Sequence, residues 1–300
     1  MNKLFVMCLL LISSQVLFAQ NIKVLILDGV STHNWRATTK DTKDTLLKTG
    51  KFVVDVNTSP SRKASKEEWA KWLPNFSNYA VVVSHINDRG KTLWHEKTRN
   101  AFSEYVKNGG GLVIVHSANN SSNDWPAYNK MIAVGGWGGR KAGTSGYLLR
   151  KYQGEWSKGS PDSGLSGGHG PQREFLITID KPEHPIVKGL PTKWMHSKDE
   201  LYHSLRGPAE NVEVIGSSYA IETKQSEPMM MVVKYGKGIV FHTPMGHYNE
   251  FSTKCLGFQT IFARGTEFVA TGKVTIGMPE DFPTVDKAKH KDPNKVVWKH

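Results

Sequence analysis

The sequence predicts an α/β fold with a mostly parallel central sheet and helices on both faces. Two observations predict it. Apolar runs of strand length alternate with helix-like segments from Lys23 to Val115, and glycine or Asn-Gly steps close those segments. Strands separated by helices pair side by side through right-handed crossovers, so both faces of the sheet become covered.

Lys23 to Asp28 (KVLILD) is the first strand, ending at Gly29. The segment from Thr38 to Thr49 carries Leu46 and Leu47 ahead of Gly50 and reads as a helix. Phe52 to Val56 is a second strand, Trp69 to Leu73 a short helix, and Tyr79 to Ser84 (YAVVVS) a third strand. A helix from about Leu93 to Val106 closes at Asn108-Gly109, and Leu112 to Val115 is the fourth strand. From Trp125 to Gly170 periodicity fades into a stretch rich in Gly, Ser and Trp, which predicts a structureless binding or lid insertion. Phe175 to Ile179, Val212 to Ser217, Met229 to Tyr235 and Ile239 to His242 read as strands, with Gly236-Lys237-Gly238 joining the last two as a hairpin. An amphipathic helix from Ser252 to Thr271 stops at Gly272.

The amino terminus reads as an export signal: Lys3 is basic, Leu4 to Ile12 is almost wholly apolar, and Ala19 precedes Gln20. That apolar run is shorter than the roughly 20 residues a membrane span needs, and no later run approaches that length. The expected organisation is a signal peptide over 1–19, one α/β domain over 20–274 and a basic, solvated extension over 275–300. The expected location is periplasmic or extracellular. With the signal removed only Cys255 remains, so no internal disulfide forms. Cys255 lies beside Leu256 and Phe258, as a small buried residue would, with a catalytic thiol as the alternative. The formal charge of +12 comes from dispersed basic residues without a nucleic-acid-binding motif, so nucleic acid is not an expected partner.

In a parallel sheet the ligand crevice lies beyond the carboxyl ends of the strands. The loops there carry His33, Asn34 and Trp35; His85, Asn87 and Asp88; His116, Ser117, Asn119 and Asn120; and His242, Thr243 and Gly246-His247. Histidines recurring at four strand ends point to a common cleft.

His33-Asn34-Trp35, Gly109-Gly110-Gly111-Leu112 with His116-Ser117-Ala118, Gly167-Gly168-His169-Gly170-Pro171, His184-Pro185-Ile186, Asp199-Glu200-Leu201-Tyr202, Gly246-His247 and Arg264-Gly265 occur in this order. Together they resemble the ThuA-like (trehalose utilisation) family over nearly the whole mature chain. The resemblance implies a class I glutamine amidotransferase-like fold of flavodoxin-like topology. The amidotransferase nucleophile is a cysteine on the turn after the fourth strand, where this chain has His116 and Ser117, so that reaction is not expected. Ser117 as a nucleophile would need a histidine base, and the Gly-x-Ser-x-Gly elbow is absent.

Two chemistries remain open for His116, His169 and His247. They could hold a divalent metal such as zinc, with Asp199 or Glu200 as carboxylate ligand and an open position for substrate. They could instead transfer protons without a metal, paired with Glu200 or Asp199. If 199–202 is extended, Glu200 and Tyr202 share a face and Asp199 points away, which favours Glu200 as the cleft carboxylate. His184-Pro185-Ile186 reads as a turn. Trp35, Trp125, Tyr128 and Trp137 stand among Gly, Asn and Ser, either as platforms for sugar rings or as loop packing.

With the export signal, the family resemblance implies an exported enzyme acting on a sugar or keto-sugar, as hydrolase, lyase or isomerase. His116, His169, His247 and Glu200 are its expected reactive groups. His33, Asn34 and Trp35 orient the ligand, with Ser117, Asn119 and Tyr202 beside it. The alternatives are a non-catalytic carbohydrate-binding protein and, supported only by the basic tail, a scaffold in a secreted assembly.

Overall fold

The computed structural model describes residues 21–137, 139–248 and 250–299. The expected export signal over 1–19 lies outside the described residues. Among them, no helix is long and apolar enough to cross a membrane.

The first half alternates as expected: β1 (Ile22–Asp28), α1 (Trp35–Lys48), β2 (Phe52–Thr58), α2 (Lys66–Lys71), β3 (Val81–Ser84), α3 (Glu96–Lys107) and β4 (Gly111–Val115). The stretch expected to be structureless instead holds α4 (Pro126–Ile132), β5 (Tyr147–Tyr152), β6 (Glu155–Lys158) and β7 (Gly168–His169). Then come β8 (Arg173–Ile179), β9 (Lys193–Asp199), β10 (Tyr202–His203), β11 (Arg206–Gly207), β12 (Val212–Ala220), β13 (Gln225–Tyr235), β14 (Gly238–Thr243) and α5 (Leu256–Thr271).

Nine strands form one sheet in the order β2-β1-β3-β4-β14-β13-β12-β8-β9. The first five pair in parallel and the rest pair antiparallel. Only β13 and β8 therefore oppose the common direction of the other seven. Chain direction along the sheet reverses between β1 and β3, the position at which doubly wound sheets open a crevice.

Period-two alternation divides the sheet's apolar residues between two cores. Val24, Ile26, Val81, Val83 and Val113 pack with Leu46 of α1 and Phe258, Ile261 and Phe262 of α5. Leu25, Leu27, Val82, Leu112 and Ile114 face the other way, against Trp69, Phe102, Met131 and Ile132 from α2, α3 and α4. Each such side chain contributes about 1.5–3 kcal/mol by leaving water. The close approach of α5 needs Gly265, because a Cβ there would stand 2.2 Å from the Phe241 ring.

Local caps fix the helix ends. Ser65 and Glu68 form a reciprocal capping box on α2, and Gly272 ends α5 in the left-handed region at φ 71°. The turn expected at His184-Pro185-Ile186 is present, with the His184 N–H donating to Lys181 O.

One strand was not expected, and one expectation needs correction. β9 reads Lys-Trp-Met-His-Ser-Lys-Asp, without apolar alternation, because it buries His196, Ser197 and Asp199. The last residues are also not a solvated tail. Ile276, Phe282, Val296 and Trp298 join the α1/α5 core, and the Leu256 N–H donates to Lys289 O. The segment also covers the exposed edge of β9, where the Met195 N–H donates to Thr284 O.

Candidate functional site

Three segments deliver imidazoles, and a fourth a carboxylate, to one point beyond the strand ends. His33 follows β1, His116 follows β4 and His247 follows β14, while Glu200 comes directly after β9. The His33 ring lies 5.0 Å from that of His116 and 4.6 Å from that of His247, between centroids.

His116 adopts φ 47° at the sharp turn after β4. A left-handed backbone is costly for a residue with a Cβ and persists only where the surroundings impose it. Its Nδ1 lies 2.8 Å from Pro244 O, so that nitrogen carries the proton and donates. Nε2 is thereby turned towards Tyr202 Oη at 3.0 Å and Glu200 Oε2 at 3.4 Å.

Glu200 is the hub. Its Oε1 is 3.4 Å from His247 Nε2 and 3.7 Å from His169 Nε2, and Gln172 Nε2 donates to it at 3.5 Å. Burial alone would lift this carboxyl, but the His116 hydrogen bond and the neighbouring imidazoles hold it down to about 2. Burial, then repulsion from His116 and His247, lowers His33 to about 3. Burial also lowers His247 and raises Tyr202.

Asp199 points away from Glu200 and builds the frame behind it. Its Oδ2 accepts from the Gly246 N–H at 2.9 Å and Ser252 Oγ at 2.8 Å, and contacts His196 Nε2 at 2.8 Å. Its Oδ1 accepts the backbone N–H groups of Glu200 at 2.7 Å and His247 at 3.3 Å. Burial would raise this carboxyl too, yet the hydrogen bond and charge of His196 keep it below the usual carboxylate range.

A cavity of about 370 Å³ opens over the cluster. His33, Glu200 and Tyr202 reach it from the cluster, His169 and Trp137 line it from the 125–170 stretch, and Thr32, Asn87, Arg89 and Asn120 add hydroxyl, amide and guanidinium groups. Such a lining suits a polar ligand with one apolar face.

The ThuA family profile (trehalose utilisation) matches residues 23–269. The chain belongs to the ThuA family. A ThuA-like protein from Parabacteroides merdae has a crystal structure 37% identical to this ThuA chain, covering 92% of it and 99% of its own length with a TM-score of 0.85. A second ThuA-like protein, from Bacteroides uniformis, is 20% identical over 90% of this chain and 97% of its own, with a TM-score of 0.56, a likeness of fold. Among curated proteins no match was found.

In this ThuA protein His33, His116, His169, His247, Glu200 and Tyr202 come together, and other expected residues are set back. Asn34 caps α1, its side chain accepting the Ala37 N–H. The Arg36 guanidinium lies over the Trp35 ring, which with Ser117 lines a narrow crevice beside His33 and His116. Asn119 is buried, its Nδ2 3.0 Å from His242 Nε2. Trp125 and Tyr128 belong to the core, so Trp137 alone of the four named aromatics lines the cavity. His85 and His242 are core groups bonded to Thr42 Oγ1 and Ile132 O. Sequence reasoning missed Gln172 and Arg89. Arg89 sits at φ 62° before Gly90, and the Asp88-Arg89-Gly90 turn was its only signal; Gln172 had none.

Proposed function

We propose that this ThuA-family chain is an exported carbohydrate-processing enzyme that binds a sugar or keto-sugar in the cavity over Glu200. The observation that carries this reading is one anionic carboxylate ringed by imidazoles beneath a polar cavity with an indole wall. Trp137 offers a face to a sugar ring, while Asn87, Asn120 and Arg89 suit its hydroxyl or carbonyl oxygens.

The roles follow from exposure and charge. A carboxyl held at about 2 is a poor proton donor, so Glu200 acts by orienting and charging its imidazole neighbours. His169, with a side chain 33% exposed and Nδ1 2.7 Å from Gly170 O, presents Nε2 towards Glu200 and is the proton-transfer group. His116 and His247 stand behind Glu200, outside the cavity lining, and hold its charge. An amidotransferase-like ancestry of the fold is part of this reading; the sharp turn at His116 supports it, and the lack of a cysteine there argues against amidotransferase chemistry.

A panel of sugars and keto-sugars screened for thermal stabilisation, followed by product analysis, tests the proposal. The expected result is a stabilising sugar that is converted, with turnover reduced about 10²–10⁴-fold in His169→Ala and Glu200→Gln. Stabilisation without any product would make the protein a sugar binder, and no stabilisation by any member would remove the reading. Export predicts a mature amino terminus at Gln20; secreted protein beginning at Met1 would contradict it.

A further inference from the structure

We infer that His33, His116, His247 and Glu200 form a binding site for one divalent first-row transition ion, zinc being the best match. Their four ligand atoms all lie within 4.8 Å of one another. Three imidazole nitrogens and one carboxylate oxygen are a donor set for zinc and its neighbours, whereas magnesium and calcium prefer all-oxygen surroundings.

The orientation of His116 is the second argument. Because its Nδ1–H donates to Pro244 O, a neutral His116 turns its Nε2 lone pair towards Glu200 Oε2 at 3.4 Å and Tyr202 Oη at 3.0 Å. In the metal-free site a proton on Nε2 bridges that gap, and a bound cation would take the proton's place between the two atoms. Bonds of about 2.1 Å put the corners of a tetrahedral site roughly 3.4 Å apart. His116 Nε2 to Glu200 Oε2 and His247 Nε2 to Glu200 Oε1 are each 3.4 Å, so either carboxylate oxygen stands at that spacing from one imidazole.

The support behind the ligands is of the kind metal sites need. Pro244 O fixes the His116 tautomer, Gln172 Nε2 stands 3.4 Å from His247 Nδ1, and Asp199 ties the Glu200 and His247 backbones together. His33 and Glu200 also border the cavity, so a bound ion would keep a face open to a ligand oxygen. His169 stays outside the set. The inference deepens the proposed function and rests on that reading for the ion's use, not for its binding.

Tag-free protein, purified without chelator for metal analysis and then stripped and titrated calorimetrically with Zn²⁺, tests it. The expected result is one equivalent per chain. Affinity should fall at least about tenfold in His33→Ala, His247→Ala and Glu200→Gln, while His169→Ala retains it, with melting curves confirming that each variant is folded. Absence of saturable one-to-one binding, or equal affinity in a folded His33→Ala/His247→Ala double variant, overturns the site. Stoichiometric zinc without sugar conversion would sink the proposed function and leave the site standing. Undiminished conversion by stripped protein would keep the proposed function and overturn the ion's role in it.

Discussion

Asp199 Oδ2 accepts the backbone N–H of Gly246 at 2.9 Å, fastening the loop that carries His247 to the strand end that carries Glu200. Two segments 47 residues apart in the chain are thereby fixed by one buried carboxylate. Removing its charge while keeping its shape should loosen both.

Asp199→Asn is therefore expected to lower unfolding free energy by on the order of 3 kcal/mol, because it breaks a buried ion pair with His196 and weakens several hydrogen bonds at once. Urea denaturation of the variant measures this. A change below about 0.5 kcal/mol, the range of an ordinary surface substitution, would show that Asp199 is not the frame.

Gly246 holds φ 106°, and a Cβ there would stand 2.7 Å from the Phe258 ring. Gly246→Ala should cost about 1–3 kcal/mol through strain and displace His247, lowering the thermal shift produced by any ligand of the cavity. An alanine variant with wild-type stability and ligand response would contradict this.

The carboxyl-terminal segment is the next test. Trp298 is buried in the α1/α5 core, so Trp298→Ala is expected to destabilise by about 3 kcal/mol, against near zero for a residue in a solvated tail. Chemical denaturation distinguishes the two outcomes.

Stability should fall in mild acid. Burial lowers His85 to about 3 and His242 to about 4, both below the unfolded value near 6.5. Folded-state values depressed in this way mean that the unfolded chain takes up protons first. Their contribution is intact above pH 6.5 and is lost as pH falls towards 4, by on the order of 1–3 kcal/mol for each imidazole. Denaturation midpoints measured from pH 7 to pH 4 should decline across that window; a flat profile would mean that neither ring is held neutral by burial.

Much of the fold is legible because its signals are local. The apolar run of β1 buries both faces and needs no tertiary information to be read. β9 was illegible for the opposite reason: its inward residues are His196, Ser197 and Asp199, polar groups whose burial depends on partners remote in sequence. The tail failed similarly, since Phe282 stands between Asp281 and Pro283 and Val296-Val297-Trp298 is a three-residue run between lysines, and both show their core role only once α5 lies beneath them.

The candidate site is legible to a similar degree. Strand-end position leads to His33, His116 and His247, but equally to His85 and His242, which the fold uses as core hydrogen-bonding groups. Glu200 borders the cavity and Asp199 lies behind it, although Glu200 and Leu201 fall between β9 and β10 rather than in a continuous strand. Side-chain alternation says nothing of Gln172 or Arg89, which reach the site from loops.

The central claim is that Glu200 gathers His33, His116, His169 and His247 into one electrostatic unit. Imidazole NMR of chelator-treated protein, wild type against Glu200→Gln, tests it most directly. The account predicts that the ring resonances of all four histidines move together, that the pKa values of His33 and His247 fall as the carboxylate's charge is lost, and that His184 stays unchanged. Resonances in which at most one of the four responds would contradict it.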